Sequence, residues 1–362
     1  MQRIILTVTN DLNYDQRMQR ICTSLALTGY DVLLVGRKMK GSKSLEQTAF
    51  RQKRLPCFFD KGFLFYAEYN LRLFFWLIFQ KADIICAIDL DTILPVLLVS
   101  SIHNKKRVYD AHELFTEQVE IVSRPFVHKV WLSIEKFAVP KFRKGYTVNQ
   151  FIADEFNRRY GVAFQIIRNL PLFTNITAND KQGSEKFIIY QGAVNEGRCF
   201  ETLIPAMQQV DAKLVICGQG NFFEQVKRLI KEFGVEAKVE LRGYVLPAEL
   251  KKITPGAWVA VTLFENTGLN QYYSLGNRFF DYIMAGVPQV CVSYPEYKAI
   301  NDIYNVALLI NDTKIDTIAA ALNKLLSDSV LHRHLAENCI EARKHLQWLE
   351  EEKKLASFYS SL

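Results

Sequence analysis

Leu275, Asn277, Arg278 and Asp281 lie close together in the sequence and combine features that could hold a phosphate and a sugar. Leu275 and Asn277 lie where we predict a helix to begin, and the N–H groups and positive dipole end of a helix N-terminus attract an anion. Arg278 adds a positive charge there, and Asp281 supplies acceptor oxygens one turn further in. A core helix with an acid near its positive end would contain the same residues, so both interpretations stay open.

The helix signals around these residues come from the segment 277–288. Asn277 is predicted to be the N-cap, because an Asn side chain can accept a hydrogen bond from a backbone N–H of the first turn. Gly286 and Pro288 form a stop signal, since Gly takes the left-handed conformation without steric cost and Pro cannot continue a helix. The residues that follow, 289–293, are predicted to form a buried strand.

A second group of ionisable residues, Asp110, His112 and Glu113, follows a strand-like run at 107–109. Histidine is the side chain here whose ordinary pKa lies near neutrality, so His112 could hold a sugar hydroxyl or move a proton. A single histidine is more often structural. Its place between two acids at a strand end makes these three residues our candidates for catalysis.

The loop at 9–14 is polar and lies at the carboxyl end of the first predicted strand, where ligands bind in open α/β sheets. We assign Asn13, Asp15 and Arg17 to the acceptor side of a site on this basis. Charge pairing at the start of the helix predicted at 15–27 is the alternative explanation for Asp15 and Arg17, and it stays open.

The alternation of apolar and polar segments predicts two successive arrays of strands and helices. Strand, helix, strand is the unit of a parallel sheet, and 362 residues exceed what one core usually serves. A polar stretch at 174–185 separates the arrays. We predict an α/β protein with an N-terminal domain at 1–170, a C-terminal domain at 171–340, and a helical segment at 341–362 that packs back on the first domain. The predicted strands are 4–8, 31–35, 82–88, 145–148, 186–190, 213–217, 239–241, 258–263 and 289–293.

Positive charge is concentrated in the first half, which also contains an unusually aromatic segment. Residues 1–170 contain 25 Lys and Arg against 16 Asp and Glu, whereas the remaining residues contain 20 against 22. The segment 58–81 is rich in aromatic residues with lysines and an arginine beside them, which is typical of a helix at a bilayer surface, although part of it also fits a core helix. Because no nucleic-acid-binding signature is present, we expect no nucleic-acid partner. Residues 36–54 are predicted to be an exposed loop or sheet edge.

Cysteine usage and apolar run lengths indicate a cytoplasmic protein. The seven cysteines form no C-x-x-C pair, so we predict reduced thiols and no disulfide framework or metal site. We see no signal peptide, and the longest apolar runs fall well short of the ~20 residues of a spanning helix. We expect a cytoplasmic location, at the inner face of the plasma membrane if 58–81 contacts lipid.

Six segments resemble the retaining GT-B glycosyltransferases of family 4, the "glycosyl transferases group 1" proteins. Any one of them would be weak evidence, but together they extend over nearly the whole chain in a characteristic order. They are YDQR (14–17), YDAHELF (109–115), YQGAVNEGR (190–198), VICGQG (215–220), LRGYV (241–245) and NRFFDYIMAGVP (277–288).

The resemblance implies a GT-B fold, in which two Rossmann-like, doubly wound domains face one another across a cleft and the second holds a nucleotide sugar. It implies that Arg198 and Arg278 neutralise the diphosphate, the latter together with the helix N-terminus. It also implies that Asp281 accepts hydrogen bonds from the ribose and that Tyr244 lies near the base. Gly192 belongs to the same donor-binding loop as Arg198.

From the first domain, the resemblance implies that His112 faces the sugar. It further implies hexosyl transfer with retained anomeric configuration, without a metal or any other cofactor. The aromatic and basic first half favours a glycan or lipid-linked glycan of cell-surface polysaccharide synthesis as the acceptor, with peripheral membrane contact through 58–81.

The sequence departs from the family pattern at four positions. Tyr273 stands where the family often has Glu, Asp281 where Glu is usual, Arg278 where Lys is common, and Ala193 where many members have a basic residue. Two other functions therefore stay open, a nucleotide-sugar epimerase on the same fold and a non-catalytic nucleotide-sugar-binding subunit. A dinucleotide oxidoreductase is disfavoured, because Phe223 occupies the third glycine position of the G-x-G-x-x-G fingerprint.

Overall fold

The computed structural model describes residues 1–13, 15–175 and 185–362. The chain folds into two compact units. The first comprises Met1–Asn169 and Glu351–Leu362, and the second comprises Leu170–Glu350. Tyr14 and most of the polar stretch predicted at 174–185 lie outside the described residues.

The first unit is a parallel sheet flanked by helices. Its elements are β1 (Arg3–Thr7), α1 (Gln16–Leu27), β2 (Asp31–Lys38), β3 (Arg51–Pro56), α2 (Gly62–Ile78), β4 (Ile84–Ile88), α3 (Ile93–Ile102), β5 (Lys106–Ala111), α4 (Val119–Val122), α5 (Pro125–Ala138), β6 (Gly145–Thr147), α6 (Gln150–Tyr160) and β7 (Gln165–Ile166). The seven strands described there are arranged β3-β2-β1-β4-β5-β6-β7, and each pairs with its neighbours in parallel. All five residues of β4 are buried, as expected for a central strand covered on both faces.

The second unit repeats this arrangement. Its elements are β8 (Phe187–Gln191), α7 (Phe200–Ala206), β9 (Lys213–Cys217), α8 (Phe223–Glu232), β10 (Val239–Gly243), α9 (Pro247–Ile253), β11 (Val259–Thr262), α10 (Leu269–Tyr272), α11 (Asn277–Met284), β12 (Gln289–Val292), α12 (Pro295–Tyr304), β13 (Ala307–Ile310), α13 (Ile315–Ser327), α14 (Ser329–Ala342) and the start of α15 (Trp348–Ser360). The strands described there form a parallel sheet in the order β10-β9-β8-β11-β12-β13.

Both faces of this second sheet carry a hydrophobic core. Leu214 and Ile216 of β9 belong to one cluster of buried residues, whereas Val215 and Cys217 belong to another. Because successive side chains of a strand point to opposite faces, this alternation shows that helices cover both sides of the sheet. The predicted α/β class with two parallel arrays is therefore confirmed.

The exposed loop or sheet edge predicted at 36–54 is confirmed in part, because residues 39–50 form a loop and Arg51–Pro56 form the edge strand β3, whereas β2 continues to Lys38. One local prediction was wrong. Asn277 is the first residue of α11 and not its N-cap, a position that Gly276 occupies without a side-chain hydrogen bond. The stop signal behaves as predicted, because Gly286 directly follows the C-cap Ala285 with φ +69°.

The end of the chain packs within the first unit. Tyr359, which is buried, lies with its ring centroid 6.3 Å from that of Tyr146 on β6. The backbone N–H of Arg168 donates to Glu351 Oε2 over 2.8 Å. In the described parts of the chain, every helix is too short or too polar to cross a lipid bilayer.

Candidate functional site

In each unit the strand order reverses at one point, which is where open α/β sheets bind ligands. In the second unit this point lies between β8 and β11, and in the first between β1 and β4. Of the predicted site residues, Asn13 and Asp15 lie on the loop after β1, and Gly192 and Arg198 lie on the loop after β8.

Arg278 in the second unit lies against the loop that follows β8. Its guanidinium is 4.3 Å from the ring centroid of Tyr190, and its side chain is largely buried. Gly192 brings the loop backbone close, since it has φ +120° and a Cβ built there would lie 3.2 Å from Arg278 Nη2. The backbone conformation favours glycine at this position, and a side chain there would also displace the Arg278 guanidinium slightly.

Arg198 reaches the same place from the other end of that loop. Its guanidinium carbon lies 4.4 Å from the ring centroid of Phe264, and that of Arg278 lies 5.3 Å from the same centroid. Burial, followed by the positive charge of Arg278, lowers the pKa of the Arg198 guanidinium. Within the described residues neither guanidinium forms an ion pair with a carboxylate, and Arg278 Nη1 and Arg198 Nε are buried without a hydrogen bond.

The glycines of the 215–220 segment have a packing role. A Cβ on Gly218 would lie 1.8 Å from the carbonyl oxygen of Gly192, and one on Gly220 would lie 2.3 Å from that of Val194. The loop after β9 thus packs backbone to backbone on the loop that carries Arg198. This packing positions Arg198, and it requires the absence of a side chain at Gly218 and Gly220.

Asp281 lies on α11 beside the end of β8. Gln191 Nε2 donates to Asp281 Oδ2 over 3.1 Å, and Gln191 Oε1 accepts from Thr254 Oγ1 over 2.7 Å. The structure therefore brings Asp281, Gly192 and Arg278 together at one edge of the second sheet.

The other predicted donor-binding residues lie around this edge. Asn277 is exposed at the start of α11, while Leu275 packs against the hydrophobic core. Tyr244 is 60% exposed between β10 and α9, which suits a residue that would stack on a base. Their roles toward a ligand stay predictions.

In the first unit His112 lies between two carboxylates. Its Nδ1 is 3.3 Å from Asp89 Oδ2 and its Nε2 is 3.1 Å from Asp110 Oδ2. Burial alone would lower the pKa of His112, but Asp89 and Asp110 outweigh it and raise that pKa to about 9. The imidazole is thus a cation at neutral pH, which favours donation to a sugar or phosphate oxygen over proton abstraction.

Asp110 is held from its other side by Arg17. Arg17 Nη2 donates to Asp110 Oδ1 over 2.9 Å, and its Nη1 donates to the carbonyl oxygen of Ile167 over 3.1 Å. Burial would raise the pKa of Asp110, but the charges of Arg17 and His112 keep it below its usual range. Arg17 is buried and acts here as the partner of Asp110, and its contact with an acceptor stays a prediction.

Two further acids lie at this edge of the first sheet. Burial raises the pKa of Asp89 to about 7 against the opposing charge of His112, and it raises the pKa of Asp91 to about 7 against a hydrogen bond from Thr9. Glu113 accepts a hydrogen bond from the side chain of Gln118. These acids lie near the partly exposed His112 cation, and such a group of charges can bind polar hydroxyl groups.

The remaining acceptor-side candidates have local hydrogen bonds. Asp15 is the N-cap of α1, because its carboxylate accepts from the backbone N–H of Met18 over 3.0 Å. Asn13 Nδ2 donates to the carbonyl oxygen of Ser44 over 2.8 Å. Capping of the helix thus accounts for Asp15. Acceptor binding by Asp15 or Asn13 stays a prediction.

Four residues of these clusters, Asp89, Asp91, Gln191 and Phe264, were not among the predicted site residues. Asp89 and Asp91 directly follow a strand-like run at 82–88, so the rule that identified the loop after β1 would also have identified them. Gln191 and Phe264 had no such signal. Their importance depends on contacts with residues 90 and 14 positions away in the chain, Asp281 and Arg278.

Comparison with known families accounts for this arrangement. The sequence model described as "Glycosyl transferases group 1" matches residues 173–345, and that of "Glycosyltransferase Family 4" matches residues 16–174. The chain belongs to the GT-B glycosyltransferases of the family 4 type. A curated relative, an uncharacterized glycosyltransferase of Methanocaldococcus jannaschii, is 28% identical over 161 residues. That match spans 43% of this chain and 40% of the relative.

Solved structures have the same fold over the whole length of this chain. The sucrose-phosphate synthase of Thermosynechococcus elongatus has a TM-score of 0.81 at 17% identity, covering 100% of this chain and 99% of the other. HepE of Anabaena in complex with UDP-glucose has a TM-score of 0.78 at 13% identity, covering 100% of both chains. At these identities the comparison shows the fold, and the predicted GT-B architecture is confirmed.

Proposed function

We propose that this protein transfers a hexose from a nucleoside diphosphate sugar to a hydroxyl group of an acceptor. The observation that supports this best is the pair of guanidinium groups, Arg198 and Arg278, around Phe264 at the strand-order reversal of the second sheet. Both lack a carboxylate ion-pair partner among the described residues.

A diphosphate fits this pair of cations. Burying an uncompensated charge costs several kcal/mol, so two such groups next to each other favour an anion of matching charge. Guanidinium groups donate charge-assisted hydrogen bonds to phosphate oxygens, and each is worth ~1.5–3 kcal/mol. During transfer the leaving diphosphate gains negative charge, which the same two groups would stabilise.

The position of Asp281 indicates that the diphosphate belongs to a nucleotide. A carboxylate accepts from two neighbouring hydroxyl groups at once, as the 2′ and 3′ hydroxyls of ribose require. Because Asp281 lies on the same helix as Arg278, one helix would bind both the ribose and the diphosphate. The structurally similar HepE has been solved with UDP-glucose, so uridine nucleotides are the first donors to test.

We also propose that transfer proceeds with retained anomeric configuration and without a metal. The family resemblance supports retention, and the two guanidinium groups supply the positive charge that a metal would otherwise provide. In the first unit, the protonated His112 would donate a hydrogen bond to the donor sugar.

The donor assignment is tested by thermal unfolding with UDP and UDP-glucose, followed by an assay for hydrolysis and transfer. We expect UDP to raise the melting temperature, because a ligand that binds only the folded protein stabilises it by mass action. Asp281→Ala should lose most of this shift and the transfer activity, and EDTA should leave the wild-type activity unchanged.

Asp302→Ala is the matched control for that variant, since Asp302 is an exposed acid paired with Lys298 on another helix of the same unit. It should retain both the UDP shift and the activity. Full activity of Asp281→Ala would rule out its role, and the absence of any shift with a panel of nucleotides would overturn the proposed donor class.

For the acceptor, we propose a lipid-linked glycan reached from a membrane surface by α2. The buried stripe of this helix contains Phe65, Tyr69, Leu73 and Leu77. Its opposite side is also apolar, with Leu71 and Phe75 at 59% and 56% exposure, and the C-cap Phe79 is 82% exposed. The protein core covers the buried side of this helix. A bilayer surface would provide an apolar environment for the exposed side.

Basic residues beside this helix support an anionic membrane as the partner. The Arg72 guanidinium, which also pairs with Glu68 over 2.8 Å, lies 5.0 Å from the ring centroid of Phe58, which is 85% exposed. Lys53 of the edge strand β3 lies 5.7 Å from the ring centroid of Trp76. Lysine and arginine near a membrane surface add ~1 kcal/mol each toward anionic lipids.

A flotation assay with lipid vesicles tests this surface. One vesicle is pure phosphatidylcholine, and the other also contains roughly 30% phosphatidylglycerol to represent an anionic inner leaflet. We expect wild-type protein to float with the anionic vesicles and to be released partly by salt. Phe75→Ser with Phe79→Ser should weaken binding by about tenfold or more, because burying one aromatic side chain contributes ~1.5–3 kcal/mol.

The control is Ile303→Ser with Val330→Ser in the second unit, where the two residues are 74% and 76% exposed. This pair removes comparable exposed apolar area and should not change flotation. If wild-type protein does not float with either vesicle, or if both double variants float equally well, α2 is not a membrane-binding surface.

A further inference from the structure

We propose that Gln191 and Thr254 form a hydrogen-bond relay that positions the carboxylate of Asp281 for the ribose hydroxyls. The proposal rests on the proposed donor site and adds two positioning residues to it. Both side chains are almost fully buried, with Gln191 5% and Thr254 4% exposed.

The direction of each hydrogen bond follows from Asp281. An ionised carboxylate can only accept, so the group of Gln191 that faces Asp281 Oδ2 at 3.1 Å has to be the amide nitrogen. The amide oxygen then faces Thr254 Oγ1 at 2.7 Å, where the hydroxyl has to donate. Thr254 therefore selects the amide orientation that presents a donor to Asp281.

The relay fixes one oxygen of the carboxylate and thereby the plane of the whole group. A carboxylate has about four acceptor directions, so accepting one hydrogen bond from Gln191 is compatible with accepting others from a diol. Loss of this bond would remove one restraint on the carboxylate of Asp281, so its geometry for two hydroxyl groups would be less well prepared for binding.

A purely structural role is the competing explanation. The backbone N–H of Gln191 donates to the hydroxyl of Tyr282 over 2.9 Å, so β8 and α11 are already joined next to Asp281. Because Tyr282 is fully buried and takes no part in the relay, this bond stays when the Gln191 side chain changes. Loss of the amide should therefore affect the carboxylate more than the packing of α11.

The test compares three ligands on wild type and Gln191→Met, which keeps the side-chain length without a donor. The ligands are UDP, 2′,3′-dideoxy-UDP and inorganic pyrophosphate, and binding is measured by calorimetry. We expect Gln191→Met to weaken UDP binding by up to about tenfold, since ordering one side chain on binding has a cost of that size. Binding of the two ligands without ribose hydroxyls should be unchanged.

Variants of Thr254 test the second step of the relay. Thr254→Ser keeps the hydroxyl and should bind UDP like wild type. Thr254→Val removes it and should lose several-fold in UDP affinity, again without effect on dideoxy-UDP. With a donor sugar, both Gln191→Met and Thr254→Val should raise KM more than they lower kcat.

A background of Asp281→Ala shows whether the relay acts through this carboxylate. Adding Gln191→Met to it should have no further effect on UDP affinity. If Gln191→Met weakens all three ligands equally, or lowers UDP affinity further in the Asp281→Ala background, its role is structural and the relay is overturned. Failure of wild-type protein to bind UDP or any other nucleotide would instead overturn the proposed donor site.

Discussion

Replacement of Arg278 by methionine is expected to stabilise the ligand-free protein and to abolish its stabilisation by UDP. Arg278 is a buried cation whose Nη1 has no hydrogen-bond partner among the described residues. Burial of such a charge costs several kcal/mol, whereas its contact with the ring of Tyr190 returns only ~2 kcal/mol. Methionine fills similar space without this cost, so we expect the free energy of unfolding to rise by about 1 kcal/mol.

The loss of binding should be much larger than the gain in stability. Two charge-assisted hydrogen bonds to phosphate would contribute ~3–6 kcal/mol, so UDP affinity should fall at least about 100-fold. Thermal unfolding with and without UDP measures both effects on one sample. Arg198→Met should also weaken binding with a smaller gain in stability, since Arg198 is less buried.

Arg228 provides the matched control, because it is an exposed arginine on α8 of the same unit. Arg228→Met makes the same change in net charge and should leave UDP binding unaltered. Unchanged UDP affinity in Arg278→Met would show that the diphosphate binds elsewhere. A marked fall in stability of the ligand-free variant would show that Arg278 is a net contributor to the fold.

Replacement of Asp110 by asparagine is expected to destabilise the first unit by about 3–5 kcal/mol. The two side chains have nearly the same shape, so the change removes a charge and little else. The carboxylate of Asp110 has no exposure and pairs with Arg17, whose side chain is 4% exposed. The variant would leave the Arg17 guanidinium buried without its counter-charge, which is more costly than burial of the neutral amide.

The same substitution should lower the pKa of His112. Asp89 and Asp110 together raise that pKa to about 9, and only Asp89 would remain in the variant. Urea denaturation measures the loss of stability, and the pH dependence of the His112 ring signal in NMR spectra measures the pKa. A decrease in the pKa should reduce transfer at neutral pH if the imidazolium donates to the sugar.

Asp31→Asn is the control for this experiment. Asp31 pairs with Arg51 at the sheet edge, where the side chains are 35% and 54% exposed, and such pairs contribute ~0–1 kcal/mol. If Asp110→Asn were as stable as Asp31→Asn, the buried pair would not stabilise the fold. An unchanged pKa of His112 would show that Asp89 alone sets its charge.

Much of the fold could be predicted from local sequence. The strand at 213–217 was predicted to the residue, and α11 was predicted from its stop signal and apolar pattern, although its N-cap was misplaced by one residue. Central strands of a parallel sheet are continuous apolar runs, so their signal is local. The edge strand β3 was missed because four of its six residues are Arg, Gln or Lys and it lacks such a run.

Individual site residues could be proposed from the sequence, but not the interactions that give them their properties. His112 was predicted as a site residue because of the acids next to it in the chain. Asp89, whose carboxylate raises the pKa of His112, lies on another loop 23 residues away. A pKa of about 9 depends on the distances to both carboxylates, and only the packing of β4 beside β5 sets them.

The sequence by itself therefore determined the α/β class, the two arrays, the family resemblance and the residue types that could hold a nucleotide sugar. The tertiary structure decided which of these residues meet. It placed Arg198 and Arg278 around Phe264, and it placed Gln191 against Asp281. Periodicity is a local property of the chain, whereas contacts between loops depend on strand order, which brings residues 90 positions apart within 3.1 Å.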